Sequence, residues 1–223
     1  MSIIKYYKKK KYHGDHGMIN YYNISIQNEM LIKKIYEKLQ WHHSGYRYPL
    51  KAEYWEDIWD QCINPDGSDW VGGGHQSGAD TEHNITKIRY QNKSGTINDD
   101  IVSFTSHRLK SRGETLEEKI EFISKDHCDK YVLLSRDKNK WKKDIKSYTL
   151  MIFDSKLIDF SSLKWHSDIP KIGKNKDTHI GKYKGVDENN NYSARIDGPG
   201  TSHQLHIDIK LDYIGGYHEF IIP

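Results

Sequence analysis

Three side chains of the types used in metal-assisted hydrolysis lie near one another in the sequence: Asp80, Gln91 and Lys93. The residues leading to Lys93 are typical of a β-strand, in which side chains alternate between two faces, so Gln91 and Lys93 share a face. A hairpin-like return would bring both beside Asp80. Two oxygen donors and an ammonium group would then converge, which suits Mg2+ binding and activation of a water molecule. The pattern therefore predicts a Mg2+-dependent site for phosphodiester hydrolysis.

This pattern resembles the motif of the PD-(D/E)XK nuclease superfamily, and most of all that of its type II restriction endonucleases. The resemblance makes Asp80 the motif's aspartate, Gln91 the residue at its acid position and Lys93 its lysine. Ala79 stands where the motif has proline. Gln91 is neutral, as is the corresponding residue in some members. Because an amide brings no negative charge, we expect weak metal affinity unless another acid contributes.

A helix is predicted before the motif, over residues 51–63, because four apolar residues recur there at helical spacing. In the resembled family such a helix often lends a carboxylate to the metal site. By that resemblance Glu56, or Glu53 beside it, joins Asp80 and Gln91 as a metal ligand. The alternative is that these acids form only the solvated side of the helix.

A polar segment over residues 103–108 is the second functional prediction. In a small blunt-cutting branch of the resembled enzymes, the motif lysine is also followed by serine and then by a Phe-Ser-Thr-His-His type segment that reaches the major groove. Arginine makes bidentate bonds to guanine, and His, Ser and Thr bond to bases or phosphates. An ordinary surface turn is the alternative. The residues that the resemblance assigns to DNA binding are Ser103, Thr105, Ser106, His107 and Arg108.

A rival acid-x-Lys pattern lies near the C-terminus, where Asp208 and Lys210 follow Asp197 on a strand with alternating apolar residues. In the resembled superfamily a further helix and strand follow the catalytic hairpin, and little chain remains after Lys210. Segments predicted as strand, helix and strand do follow Lys93, at residues 101–105, 115–125 and 130–135. We therefore favour the Asp80 site and expect the Asp208 strand to be a half-buried sheet edge.

Composition indicates a hydrophilic protein that can bury a core. The chain has 223 residues, of which 35% are hydrophobic, and a mean hydropathy of −0.87. It has no apolar run of membrane-spanning length and no signal-peptide core, so we expect a cytoplasmic protein without a membrane partner. Cys62 and Cys128 lie far apart without a Cys-x-x-Cys pair, so we expect reduced thiols and no structural zinc site.

Basic residues are clustered although the net charge is only +3. One cluster, which includes Lys142 and Lys143, is assigned to DNA binding, because a polyanion releases counterions when its phosphates are neutralised. Lysine runs also form ordinary solvated surfaces. The clusters therefore favour a nucleic-acid partner without requiring one.

The order of the predicted elements indicates an α/β fold with a central mixed β-sheet flanked by helices, and the resemblance implies the restriction-endonuclease-like version of it. A single domain over residues 1–223 is expected. Helices, the first at residues 27–41, and the catalytic core occupy residues 27–160, and a β-rich C-terminal elaboration occupies residues 161–223.

By the resemblance, the function is sequence-specific cleavage of double-stranded DNA at a short palindrome. A homodimer is expected, since two-fold symmetric sites are read most simply by two-fold symmetric proteins. A repair or junction-resolving nuclease on the same core is one alternative. A non-catalytic binder of nucleic acid or carbohydrate, with some of the 16 Tyr and 6 Trp as stacking platforms, is another.

Overall fold

The computed structural model describes residues 28–63, 70–72, 79–83, 86–109, 112–113, 115–125, 127–168, 182–196 and 204–223. The helices are α1 (Glu29–Gly45), α2 (Ala52–Ile63), α3 (Leu116–Ile123), and the one-turn helices α4 (Lys138–Trp141) and α5 (Leu211–Ile214). The strands are β1 (Trp70–Gly72), β2 (Thr81–His83), β3 (Arg89–Asn98), β4 (Ile101–Arg108), β5 (Lys130–Asp137), β6 (Lys146–Asp154), β7 (Lys164–Asp168), β8 (Lys182–Val186), β9 (Tyr192–Ile196), β10 (Gln204–Lys210) and β11 (Tyr217–Ile222).

These strands form one sheet in the order β11-β6-β5-β3-β4-β10-β9-β8-β7, with β2 added to β3 and β1 added to β2. The pairing of β3 with β5 is parallel. Their neighbours β4 and β6 are antiparallel to them, so the sheet is mixed. The α/β class with a mixed sheet flanked by helices is therefore confirmed.

Each face of the sheet buries its own apolar core. On one face, Trp55 and Trp59 of α2 pack with Tyr90 of β3, and all three are fully buried. The opposite face packs against Ile123 of α3 and against the chain that follows β6. Residues of β5 enter the two cores alternately, as a strand covered on both sides requires. Cys62 and Cys128 are buried free thiols, one in each core.

The first helix is longer than the sequence predicted. Asn28 caps α1 by accepting a hydrogen bond from the amide of Leu31, and the helix continues to Gly45. His42 and His43, expected in a loop, therefore lie in its last turn and are buried. His43 is fixed there by Tyr148 of β6, whose hydroxyl lies 2.9 Å from its Nε2 atom.

The C-terminal third extends the same sheet. The prediction that the Asp208 strand lies at a sheet edge was wrong, because β10 pairs with β4 on one side and β9 on the other. It is half-buried as expected, with Leu205, Ile207 and Ile209 fully buried. Strands β7 to β10 thus widen the sheet beyond β4, while β11 pairs with β6 at the opposite end.

Candidate active site

Strand β3 changes its partner along one edge. Its start pairs with β2, up to Tyr90 opposite Thr81, and its end pairs with β4 from Gly95 onward. Its other edge pairs continuously with β5. A notch therefore opens at residues 91–94, where β2 and β4 diverge. Asp80, just before β2, enters this notch, and its amide donates a 2.9 Å hydrogen bond to the carbonyl of Tyr90.

The structure brings Asp80 and Lys93 together in this notch. Asp80 Oδ2 accepts hydrogen bonds from the amide of Asn92 at 2.7 Å and from Lys93 Nζ at 3.0 Å. The Lys93 side chain is 17% exposed and that of Asp80 is 35% exposed, so solvent or a ligand can still reach the pair. A fixed carboxylate beside a half-enclosed ammonium group is suited to holding a cation and orienting a water molecule.

Gln91 lines the notch but is almost fully enclosed. It is 4% exposed, and its Oε1 atom accepts a 3.1 Å hydrogen bond from the hydroxyl of Ser106. The Ser106 oxygen also lies 3.4 Å from the buried hydroxyl of Tyr131. Ser106, which the resemblance assigned to DNA binding, therefore contacts the amide of Gln91. A carbonyl oxygen has two lone pairs, so this bond leaves Gln91 able to coordinate a cation.

Helix α2 turns acidic side chains toward the notch. Burial and then the negative charge of Asp80 raise the pKa of Glu56, while the positive charge of Lys93 opposes that rise. Burial, Asp57 and Asp80 likewise raise the pKa of Asp60. Glu56 therefore shares an electrostatic environment with both members of the Asp80–Lys93 pair. A bound cation would relieve the repulsion between Glu56 and Asp80.

The donor set fits Mg2+ in kind. The described residues contain no group of three or more His, Cys, Asp or Glu side chains that could hold a metal ion. Mg2+ is commonly bound by one or two carboxylates, completed by water and substrate phosphate. Asp80 supplies one carboxylate at the notch, Gln91 a neutral oxygen, and Glu56 a second acid whose charge acts on the first.

His107 turns away from the position expected of a base-reading residue. Its ring meets the ring of Phe122 edge-on at 5.8 Å and lies 4.8 Å from the ring of His127. Burial, followed by His127 and other cations, lowers the pKa of His107 to about 4. The cause is a register shift between β4 and β10, which advances β4 by an extra residue before Arg108. Arg108 itself is exposed at the strand end.

Ser103 and Thr105 lie on the other face of β4 and line a groove of about 700 Å³. Sequence reasoning missed the residues that β9 and β10 contribute to this groove, although the alternating pattern of β10 was visible. Lys142 and Lys143 are exposed in the turn after α4 and line neither the groove nor the notch. The charged and ionisable residues that line the groove are Lys51, Arg136, Arg195, His206 and Asp208.

The rival C-terminal pattern is not assembled as a second site within the described residues. Asp208 accepts a 2.5 Å hydrogen bond from Ser103, and Lys210 is exposed. Asp197, the third member of that pattern, lies outside the described residues. The described part of the rival pattern therefore lacks the carboxylate-to-lysine contact found between Asp80 and Lys93.

Comparison with known proteins gives no relative from which to transfer a role. No protein-family model and no curated protein matches the chain. Among the described residues, no helix has the length and apolar character needed to cross a membrane. What the chain does is therefore inferred from the residues of the notch and the groove.

Proposed function

We propose that this protein is a Mg2+-dependent endonuclease with a restriction-endonuclease-like fold that cuts double-stranded DNA at a short palindromic sequence. The observation that carries the proposal is the 3.0 Å contact between Lys93 Nζ and Asp80 Oδ2 inside the notch of β3. Gln91 and the acidic side of α2 adjoin this contact. A carboxylate, a neutral oxygen and a lysine at one opening are the groups that phosphodiester hydrolysis needs.

Asp80 and Gln91 would hold the metal ion, with Glu56 completing the acidic side. When bound, Mg2+ supplies neutralisation of phosphate charge and a coordinated water of lowered pKa. Asp80 is positioned for its role by the amide of Asn92, which fixes Oδ2 at 2.7 Å and leaves Oδ1 to face a cation. Gln91 is positioned by Ser106.

Lys93 has the second task, which is to orient the attacking water. Its ammonium group can donate to that water or to a phosphate oxygen while it keeps its bond to Asp80. In the reaction the water oxygen forms a bond to phosphorus, the water loses a proton to solvent, and the bond to the leaving oxygen breaks. The leaving oxygen takes up a proton, so the reaction needs no further reactant.

Recognition of a palindrome follows from symmetry. Two copies of the chain related by a two-fold axis would place two notches and two grooves on one duplex. The groove lies beside the notch, since its lining includes Ser94, the residue after Lys93. Lys51, Arg136 and Arg195 give this lining an excess of positive charge, which favours a polyanion. Double-stranded DNA and a homodimer are therefore the proposed partners.

The proposal is tested by incubating the protein with long mixed-sequence duplex DNA and Mg2+. Discrete fragments that disappear in EDTA are the expected result. A Mg2+-dependent smear would instead favour a repair or junction-resolving nuclease on the same core. Intact DNA under all conditions would contradict the proposal.

One observation favours a second function, that of a non-catalytic binder. Several aromatic side chains are exposed at the end of α1 and the start of α2, with Trp41 at 74% and Tyr48 at 80%. Exposed rings of this kind can stack on bases or sugars. DNA or carbohydrate binding that is lost in Trp41→Ala, without any cleavage by the unaltered protein, would support this second function.

A further inference from the structure

The groove beside the notch contains an acid among cations. Lys51, Arg136 and Arg195 line it together with Asp208. A surface that only held the DNA backbone would gain nothing from a carboxylate, because Asp208 repels phosphate. The ligand of this groove should therefore present hydrogen-bond donors as well as acceptors. The major-groove edges of base pairs do so.

Asp208 is fixed in its orientation toward the groove. Ile207 and Ile209 on either side of it are fully buried in the core, so alternation along β10 turns Asp208 to the opposite face. Ser103 Oγ donates a 2.5 Å hydrogen bond to Asp208 Oδ1. Within the described part of the chain, Oδ2 has no hydrogen bond. Asp208 is thus a pre-positioned acceptor.

Arg195 lies within reach of the same ligand. In the antiparallel pairing of β9 with β10, Asp208 is opposite Ser193 and His206 is opposite Arg195. Arg195 and Asp208 are therefore diagonal neighbours on one face, which places their backbones about 7–8 Å apart. The long arginine side chain can cover much of that distance. An acceptor and a bidentate donor thus stand side by side.

We propose that Asp208 and Arg195 read a G·C base pair, an inference that rests on the proposed function. Asp208 accepts from the N4 amino group of cytosine, and Arg195 donates to O6 and N7 of guanine. Ser103 acts as a positioning residue for Asp208. Because β10 is two strands from β3, the pair is read roughly 10 Å from the notch, or about three base-pair steps from the cut phosphate.

The test uses the full chain with Lys93→Ala, so that bound DNA stays uncut. A pool of duplexes with a randomised centre is selected for binding, and the affinity of the enriched duplex is measured by fluorescence anisotropy. We expect a required G·C pair, at which N4-methylcytosine weakens binding about ten- to a hundredfold. Adding Asp208→Asn should remove most of that discrimination. Asp212→Asn, which changes an exposed acid just beyond β10, is the matched control and should retain it.

A second variant keeps the inference testable if Asp208→Asn fails to fold. Arg195→Gln should relax selection at guanine and abolish the loss caused by 7-deazaguanine at that position. An enriched site made only of A·T pairs, or unchanged discrimination in both variants, would overturn the inference while the nuclease proposal stood, provided that the unaltered protein cut DNA. Failure of the unaltered protein to bind or cut any duplex would overturn both.

Discussion

Lys93 Nζ and Asp80 Oδ2 lie 3.0 Å apart although thirteen positions separate the two residues in the chain. The contact exists because β2 and β4 leave the same edge of β3 at different points, which lets the segment before β2 enter the notch. The carboxylate reduces the cost of enclosing the lysine, and the lysine reduces the repulsion that Asp80 exerts on Glu56. Changes of charge at this notch should therefore alter both metal binding and stability.

The first prediction concerns the missing acid at position 91. Gln91→Glu adds a negative charge beside Asp80 and can keep the hydrogen bond from Ser106, so the Mg2+ concentration for half-maximal cleavage should fall about tenfold. The cleavage rate at saturating Mg2+ should fall as well, because the new carboxylate raises the pKa of Lys93 and competes for its ammonium group.

A Mg2+ titration of cleavage measures both effects. Gln61→Glu is the matched control, since Gln61 lies on the exposed side of α2 with its side chain bonded to Lys38. An unchanged Mg2+ midpoint in Gln91→Glu would show that position 91 does not ligate the metal.

The second prediction concerns Glu56 and pH. Its raised pKa means that the folded protein holds this proton to a higher pH than the unfolded chain, so stability falls as pH rises from the ordinary value of 4.5 through the raised one. Glu56→Gln should therefore be more stable than the unaltered protein at pH 7, by less than about 1 kcal/mol because the side chain is partly solvated. Below pH 4.5 the difference should vanish.

Urea unfolding of both proteins across this pH range measures the effect, and Mg2+ should reduce it at pH 7. Glu37→Gln changes an exposed acid on α1 and provides the control. Identical pH profiles for Glu56→Gln and the unaltered protein would mean that Glu56 lies outside the field of Asp80.

The third prediction separates two neighbours on β4. His107→Ala removes the ring contacts to Phe122 and His127 and should lower the free energy of unfolding by about 1 kcal/mol. Arg108→Ala should change stability by less than about 0.5 kcal/mol but weaken binding to the cut site by about 1–3 kcal/mol. Urea unfolding and anisotropy titrations distinguish the two effects.

Lys142→Ala and Lys143→Ala supply the comparison for Arg108→Ala. Both lysines are exposed away from the groove, so each change should weaken all DNA sequences alike and reduce the salt slope by about 1. If Arg108→Ala behaves in the same way, Arg108 contacts phosphate and not a base.

Local patterns in the sequence predicted the elements that carry the notch. The apolar stripe of α2 and the alternation of β3 are short-range signals, and they place Trp59 against Tyr90 and Gln91 on the same face as Lys93. The structure adds the notch itself. Its opening depends on which strands pair with β3 and where each pairing stops, which periodicity does not encode.

The misplaced predictions share one physical cause. His107 turns toward α3 because the pairing of β4 with β10 contains a register shift, and Asp208 enters the groove because β10 pairs with β4 in the interior of the sheet. Both depend on contacts between strands about a hundred positions apart in the chain. A slip of one residue in such a pairing reverses the face on which a side chain lies, so local sequence alone does not determine it.

The central claim is that the Asp80–Lys93 pair performs Mg2+-dependent cleavage, and a comparison of two lysine variants tests it most directly. Initial rates on the same duplex are measured for the unaltered protein, Lys93→Ala and Lys210→Ala, after anisotropy has shown that all three bind it. Loss of at least about a hundredfold in Lys93→Ala, with Lys210→Ala within about twofold of the unaltered rate, is the predicted result. Retained cleavage in Lys93→Ala with loss in Lys210→Ala would move the chemistry to the C-terminal strand and contradict the account.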